Sequence, residues 1–362
     1  MDQRLKNKLI KREEEGTMRS LSLWNSFVDF YSNDYLGLSK VNFSSFSKGG
    51  STGSRLISGN SKEAVACERG LADFFQVEAA LVYSSGYDAN VGFFGCIPQK
   101  GDTILYDEKI HASIRDGIRL SFAKSYSFRH NDLMDLQAKY SKSTGAVYVA
   151  VESLYSMDGD MAPLEDIHSF CKANSAYLIV DEAHACGVFG QSGRGIAEKL
   201  NDKSALFARI VTFGKAYGFH GACVLGSSYL IKYLINFSRS FIYTTALPPE
   251  NYLQILARVC SSEIQIKQFM LHEIVSQFVE QFPKETFVSA IHSPIQVLRI
   301  GDVEKTKNLV DEINSNEFAV KAIYSPTVPA GEESLRFCIH TFNTPKDICK
   351  LAEIIQIARI TE

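Results

Sequence analysis

Several things are missing from this 362-residue chain, and each absence removes a class of function. Its eight cysteines, at 67, 96, 171, 186, 223, 260, 338 and 349, form no C-x-x-C pair, and several lie within apolar runs. That pattern points to reduced, buried thiols in a cytoplasmic protein rather than to a disulfide framework. The eight histidines contain no H-x-x-x-H pair, so a zinc site has no sequence support and no metal is expected. No stretch approaches the ~18 consecutive apolar residues of a membrane span, and the N-terminus lacks the apolar core of a signal peptide. The formal net charge is −3 and the two signs are interspersed, which leaves no basic stripe for nucleic acid. The basic run from Arg4 to Arg12 leads straight into Glu13, Glu14 and Glu15, as on a solvated helix face.

Two phosphate-binding signatures are absent as well. Asp181-Glu182-Ala183-His184 looks like a helicase acidic box, but that reading needs a partner G-x-x-x-x-G-K-[ST] loop. The strand-following Gly214-Lys215 has Arg209 in place of the first glycine and Ala216 in place of Ser or Thr. No G-x-G-x-x-G follows a strand either, because Gly193-Arg194-Gly195 fails the spacing, so a nicotinamide dehydrogenase is disfavoured.

What is present is alternation. Residues 61–75 read as a helix opened by Asn60 or Ser61, followed by an apolar strand at 79–83 and, after Ser85-Gly86, a second helix. Further short apolar runs at 104–106, 146–151, 177–180, 210–213 and 222–225 suit strands buried on both faces. Together they predict an α/β fold with a mainly parallel sheet. A long helix over 250–278 is expected to lead into a second α/β region, with strands at 295–300 and 335–339 and helices at 303–314 and 345–358. The expected organisation is an N-terminal segment 1–40, a large domain 41–250 and a smaller C-terminal domain 251–362.

In open α/β sheets, ligands collect at the carboxyl ends of the strands. Two such ends carry chemistry: 177–180 runs into Asp181 to His184, and 210–213 into Gly214-Lys215. A lysine amine, an aspartate and a helix N-terminus are what pyridoxal 5'-phosphate (PLP) needs for its aldehyde, pyridine nitrogen and phosphate. Lys215, Asp181 and the Gly86-Tyr87 backbone fill those places, and His111, at the start of a predicted helix, offers a planar imidazole to stack on the ring. Taken singly, Lys215 reads as a surface lysine and His111 as a helix cap; the joint pattern carries the reading.

Four stretches make the pattern recognisable: SNDYLGL at 32–38, SMDGD at 156–160, Asp181 to His184 continuing to Gly193-Arg194-Gly195, and TFGK at 212–215. The chain resembles the α-oxoamine synthases, a branch of the fold-type I PLP enzymes, from about residue 3 to its C-terminus. The resemblance implies a large PLP-binding domain, a smaller C-terminal one, and a homodimer with shared active sites. It gives Lys215 the covalent hold on PLP and the proton transfer at the substrate α-carbon. It gives Asp181 the pyridine nitrogen, His184 the ring hydroxyl with Ser156 close by, and His111 the ring face. Gly86, Tyr87 and Thr212 go to the phosphate, with Thr244 and Thr245 reaching it from a partner subunit. Arg336 goes to the amino-acid carboxylate, and Asn33, Arg19 and Thr327 match substrate-contacting positions. The segment 325–331 (SPTVPAG), followed by Leu335-Arg336-Phe337, favours the branch that joins L-alanine to an acyl thioester, pimeloyl-CoA or its acyl-carrier-protein form. The sibling alternatives are glycine C-acetyltransferase, 5-aminolevulinate synthase and serine palmitoyltransferase. A transaminase of the same fold, or a non-catalytic subunit that stabilises a partner, would need different evidence. One departure stands out: Ala185-Cys186 follows the histidine where the family often has Gly-Thr, which exchanges small residues without removing a functional group.

Overall fold

A computed structural model describes residues 3–16, 18, 27–41, 49–283, 286–325 and 327–360. The chain forms two compact units. One comprises Asn33–Ser156 and Met161–Phe269; the other comprises Met1–Ser32, Met157–Asp160 and Met270–Glu362.

The first unit is built on a seven-stranded sheet. Its spatial order is Ala79–Tyr83, Ala222–Gly226, Leu206–Thr212, Tyr177–Asp181, Val147–Glu152, Thr103–Asp107 and Lys124–Phe128. Only Ala222–Gly226 runs against its neighbours; the pairs from Leu206–Thr212 to Lys124–Phe128 are all parallel. Strand parity explains the continuous apolar runs. Val147, Val149, Val151, Leu178 and Val180 enter one core with Leu136, Ile167 and Cys171. Tyr148, Ala150, Ile179 and Ile210 enter the opposite core with Phe93, Phe94 and Ile114 from two helices. Both faces are covered, so both parities must be apolar. The edge strand Lys124–Phe128 was not legible as a strand, since most of its side chains face solvent and are polar.

Local signals set the helix starts. Ser61 Oγ accepts the Ala64 N–H at 3.1 Å and opens Lys62–Phe75. Ser85 Oγ accepts the Asp88 N–H at 3.1 Å and donates to the Asp88 carboxylate at 2.8 Å, opening Gly86–Phe94. The expected single helix over 250–278 is instead two, Pro249–Val259 and Glu263–Val279. The break falls at Cys260-Ser261-Ser262, where Ser261 Oγ takes the Glu263 N–H at 3.2 Å; a serine hydroxyl that bonds the backbone competes with the helical ladder.

The second unit has a three-stranded antiparallel sheet, ordered Lys321–Ile323, Ser334–Cys338, Ile295–Arg299, with the helices Val303–Ser315 and Pro345–Ile360. A two-residue parallel ladder joins Val28–Asp29 to Phe318–Ala319. Phe278 anchors its core, with the rings of Phe30, Phe282, Phe287 and Phe337 at 5.4–6.3 Å. No helix among the described residues is long and apolar enough to cross a membrane. All eight cysteines are free thiols.

Candidate active site

Three strand ends open onto one cavity of about 260 Å³. Glu152 continues the parity of Ala150, Asp181 that of Ile179, and Thr212 that of Ile210, so all three emerge on the same sheet face. Glu152 and Asp181 are register neighbours across the parallel ladder. The cavity is also lined by Asn33, Gly86, Tyr87, Asn90, His111, Ser113, His184 and Lys215.

Lys215 sits on the hairpin between Leu206–Thr212 and Ala222–Gly226. The hairpin is closed by Phe213 N–H to Gly221 O and Phe219 N–H to Phe213 O, both 2.8 Å, and by Gly218 N–H to Lys215 O at 2.8 Å. Gly218 has φ +60°, and a Cβ there would lie 2.2 Å from Ser39 N, so this turn requires glycine. Ala216 and Tyr217, both buried, anchor the loop, and the Tyr217 hydroxyl donates to Gly193 O at 3.0 Å.

Asp181 is held as an acceptor. Its Oδ1 takes the Ala183 N–H and its Oδ2 takes Asn90 Nδ2, each at 2.9 Å. Asn90 also donates to Ser113 Oγ at 3.0 Å. Ser113 Oγ lies 2.7 Å from His111 Nδ1, which in addition accepts the Ser113 N–H at 3.2 Å. An Nδ1 that accepts a backbone N–H carries no proton, so neutral His111 holds its hydrogen on Nε2. Its pKa is lowered, first by the protein crowding around the ring and then by Lys215, against the pull of Asp181. On the other side of Asp181, His184 Nδ1 is 2.9 Å from the Tyr35 hydroxyl.

Glu152 is 2% exposed and its Oε1 has no hydrogen-bond partner. Burial, reinforced by Asp181 and Asp107, pushes its carboxyl up to about 8, against Lys215 and the His111 N–H. Behind the cavity Glu182 faces the other way. It is buried against Arg209, whose Nε donates to Glu182 Oε2 at 2.6 Å, and its Oε1 takes the Ala197 N–H at 2.8 Å. Gly195, at φ +93°, leaves the space this carboxylate fills, since a Cβ there would lie 2.6 Å from Oε1. Gly195 thus serves an ion pair, and Arg209, which spoils the nucleotide-loop pattern, is its cation.

At the mouth, Gly86 and Tyr87 begin a nine-residue helix, and their N–H groups have no carbonyl four residues earlier to bond. Gly86 must be glycine, because a Cβ would lie 2.6 Å from Thr212 Cγ2. The Thr212 hydroxyl donates to Ala183 O at 3.3 Å. Eight of the expected residues, Asn33, Gly86, Tyr87, His111, Asp181, His184, Thr212 and Lys215, therefore share one cavity. Ser156 is buried in the same unit but is not among the lining residues. Thr244 and Thr245 line a separate, narrow cleft with Arg55 and Tyr252. Arg336, half-buried on Ser334–Cys338, and exposed Thr327 belong to the second unit; Arg19 lies outside the described residues. Tyr35, Asn90, Ser113 and Glu152 were missed by sequence reasoning. Glu152 was findable, standing at the carboxyl end of an apolar strand as Asp181 does, and Asn90 lies one helical turn beyond Gly86.

These residues fit PLP through their donor set: a lysine amine, a carboxylate fixed as an acceptor, a neutral imidazole and a helix N-terminus converge on one cavity. Comparison with known proteins agrees. The profile of the aminotransferase class I and II family matches residues 25–355. An 8-amino-7-oxononanoate synthase of Emericella nidulans is 37% identical, over 97% of this chain and 94% of that protein. The solved 8-amino-7-oxononanoate synthase of Francisella tularensis superposes with a TM-score of 0.78 at 30% identity, covering 93% of this chain and 98% of that one. A high-resolution structure of SPT with PLP superposes with a TM-score of 0.88 at 25% identity, covering 99% and 97%. The chain belongs to the class I and II aminotransferases and, among them, to the 8-amino-7-oxononanoate synthase family.

Proposed function

We propose that the chain is a PLP-dependent acyltransferase of biotin synthesis. It condenses L-alanine with pimeloyl-CoA, or the pimeloyl acyl-carrier protein, to 8-amino-7-oxononanoate, releasing CoA (or the carrier) and CO2. The observation that carries this reading is the coincidence of 37% identity, over nearly the full length, to an 8-amino-7-oxononanoate synthase with a cavity that gathers Lys215, Asp181, His111 and His184.

When bound, PLP supplies an electron sink for the negative charge that develops at the alanine α-carbon. Lys215 would hold the cofactor covalently, and its amine, when free, would act as the general base for the alanine α-proton. Asp181, already fixed by two donors, holds the proton of the pyridine nitrogen. His111 would cover the ring face, and in its neutral form it offers an Nε2–H there. Gly86 and Tyr87 N–H groups and Thr212 hold the phosphate, with Thr244 and Thr245 from the partner of a homodimer. Ser156 supports His184 at the ring hydroxyl. Arg336, with Asn33, Thr327 and Arg19, would bind substrate, Arg336 by holding the amino-acid carboxylate in place. The setting is the cytoplasm.

The test is product identification by mass spectrometry, offering alanine, glycine and serine with acyl-CoAs of several lengths. Alanine with pimeloyl-CoA is expected to dominate and to release one CoA and one CO2 per product. Faster turnover of glycine with acetyl- or succinyl-CoA, or of serine with palmitoyl-CoA, assigns the chain to a sibling activity instead.

A further inference from the structure

Of the three histidines that line the cavity, His111 and His184 are wired differently. His111 Nδ1 accepts from a backbone N–H, which leaves the ring hydrogen on Nε2. His184 Nδ1 faces a tyrosine hydroxyl that has only one proton to give. That hydroxyl lies 2.9 Å from His184 Nδ1 and 3.2 Å from Asn33 Oδ1. Asn33 Oδ1 is an acceptor only, so Tyr35 O–H donates to it. The contact with His184 is then a hydrogen bond only if His184 Nδ1–H donates to the Tyr35 oxygen. In neutral His184 the lone pair accordingly sits on Nε2.

We propose that Tyr35 is a positioning residue that holds His184 in the Nδ1–H form, so that His184 meets the cofactor as an acceptor while His111 meets it as a donor. Tyr35 is fully buried and His184 nearly so, which keeps water from substituting for either partner. The rings are tilted by 54° with centroids 6.2 Å apart, so the contact is made through the polar atoms rather than by stacking. Asn33 completes the arrangement by taking the hydroxyl proton. An Nε2 acceptor favours a ring hydroxyl that keeps its proton, whereas an Nε2–H would favour the ring oxyanion. This last step rests on the proposed role of His184 beside the cofactor ring; the tautomer itself does not.

The experiment uses the full chain labelled with 15N in its histidine rings, recorded at pH 8 before and after PLP is added. Wild type is expected to show His184 with protonated Nδ1 and unprotonated Nε2, its signals assigned by their loss in His184→Asn and so separated from those of His130, whose Nδ1 faces Asp107 Oδ1 at 2.9 Å. Tyr35→Phe keeps the ring in the core and removes the oxygen; Asn33→Ala frees the hydroxyl proton for Nδ1. Both variants are expected to convert His184 to the Nε2–H form. In the PLP-loaded Tyr35→Phe protein, the pH midpoint of the visible cofactor band is expected to fall by about one unit, as the ring oxyanion gains a donor. Unchanged His184 15N shifts in both variants would overturn the proposal. Converted shifts with an unmoved absorbance midpoint uphold the Tyr35 assignment and instead count against placing His184 at the ring hydroxyl.

Discussion

Asp181 and Glu182 are adjacent in sequence, both are buried, and they do opposite work. Glu182 faces a guanidinium and a backbone N–H, so its charge is neutralised where it stands. Asp181 faces a cavity, takes only neutral donors, and has a second buried carboxyl, Glu152, as its ladder neighbour. On the Glu182 side every charge has a partner within the fold. On the Asp181 side Lys215, set on a hairpin, is the cation that acts on Glu152. The difference separates an ion pair that holds the frame from carboxyl groups left to act on a ligand. A buried charge satisfied inside the protein has little left to offer a substrate, whereas one held by neutral dipoles still attracts a cationic group.

The comparison can be broken from either side, and the largest effect is expected at Lys215. Lys215→Ala removes the amine that holds cofactor and proton, and turnover is expected to drop by roughly a thousandfold or more, with the fold intact. CoA release measures it, and substantial turnover in that variant would overturn the assignment of Lys215. Next, Arg209→Met strands the Glu182 carboxylate in the core and is expected to cost about 3–5 kcal/mol in denaturant unfolding. The double variant Arg209→Met, Glu182→Leu should recover much of that loss, because no unpaired charge remains. Asp181→Asn should show the reverse profile, losing turnover while its unfolding midpoint moves far less. If Arg209→Met and Asp181→Asn shifted stability alike, the division between frame and site would be lost.

This division was only half legible in the sequence. The apolar runs ending in Asp181 and in Gly214-Lys215 located the rim of the site, because strand ends and parity follow from a period of two. The same parity argument extends to Glu152, but a lone carboxylate after Val151 carries no local mark of burial. Tyr35, Asn90 and Ser113 act through partners from 23 to 149 residues away, and no periodicity encodes those meetings. Arg209 looked like a failed glycine of a nucleotide loop; its pairing with Glu182 appears only when two parallel strands lie side by side. The split of the 250–278 helix was hidden for the opposite reason: the apolar pattern persists across Cys260–Ser262, while the hydroxyl that breaks the ladder is a small local feature.

Gly86→Ala sharpens the comparison at the mouth. The new Cβ would meet Thr212 Cγ2 at 2.6 Å, so strand and helix must separate beside the N–H groups assigned to phosphate. A stability loss of about 1–3 kcal/mol is expected, together with weaker PLP binding by fluorescence titration. An unchanged PLP affinity would show that this helix start does not hold the phosphate.

At Glu152 the effect appears as a slope with pH rather than as a step. Below pH ~4.5 the Glu152 carboxyl is protonated in both the folded and the unfolded chain and adds no pH dependence. Between about 4.5 and about 8 the unfolded chain has released this proton while the folded chain keeps it, so stability falls as the pH rises. The loss is at most about 1.4 kcal/mol per pH unit, and it ends above about 8, where both states are ionised. Asp181, Asp107, Lys215 and the His111 backbone N–H all act on this carboxyl and remain in the variant. Glu152→Gln keeps an acceptor for the His111 N–H and has no proton to lose. Its urea midpoint should therefore decline less steeply than wild type between pH 5 and 8, with the curves running parallel above that range. Parallel curves throughout would mean that Glu152 is ionised in the folded chain. Both carboxyls beside Lys215 would then be charged, and Asp181 would no longer be the single negative group that the cavity offers to a pyridine N–H.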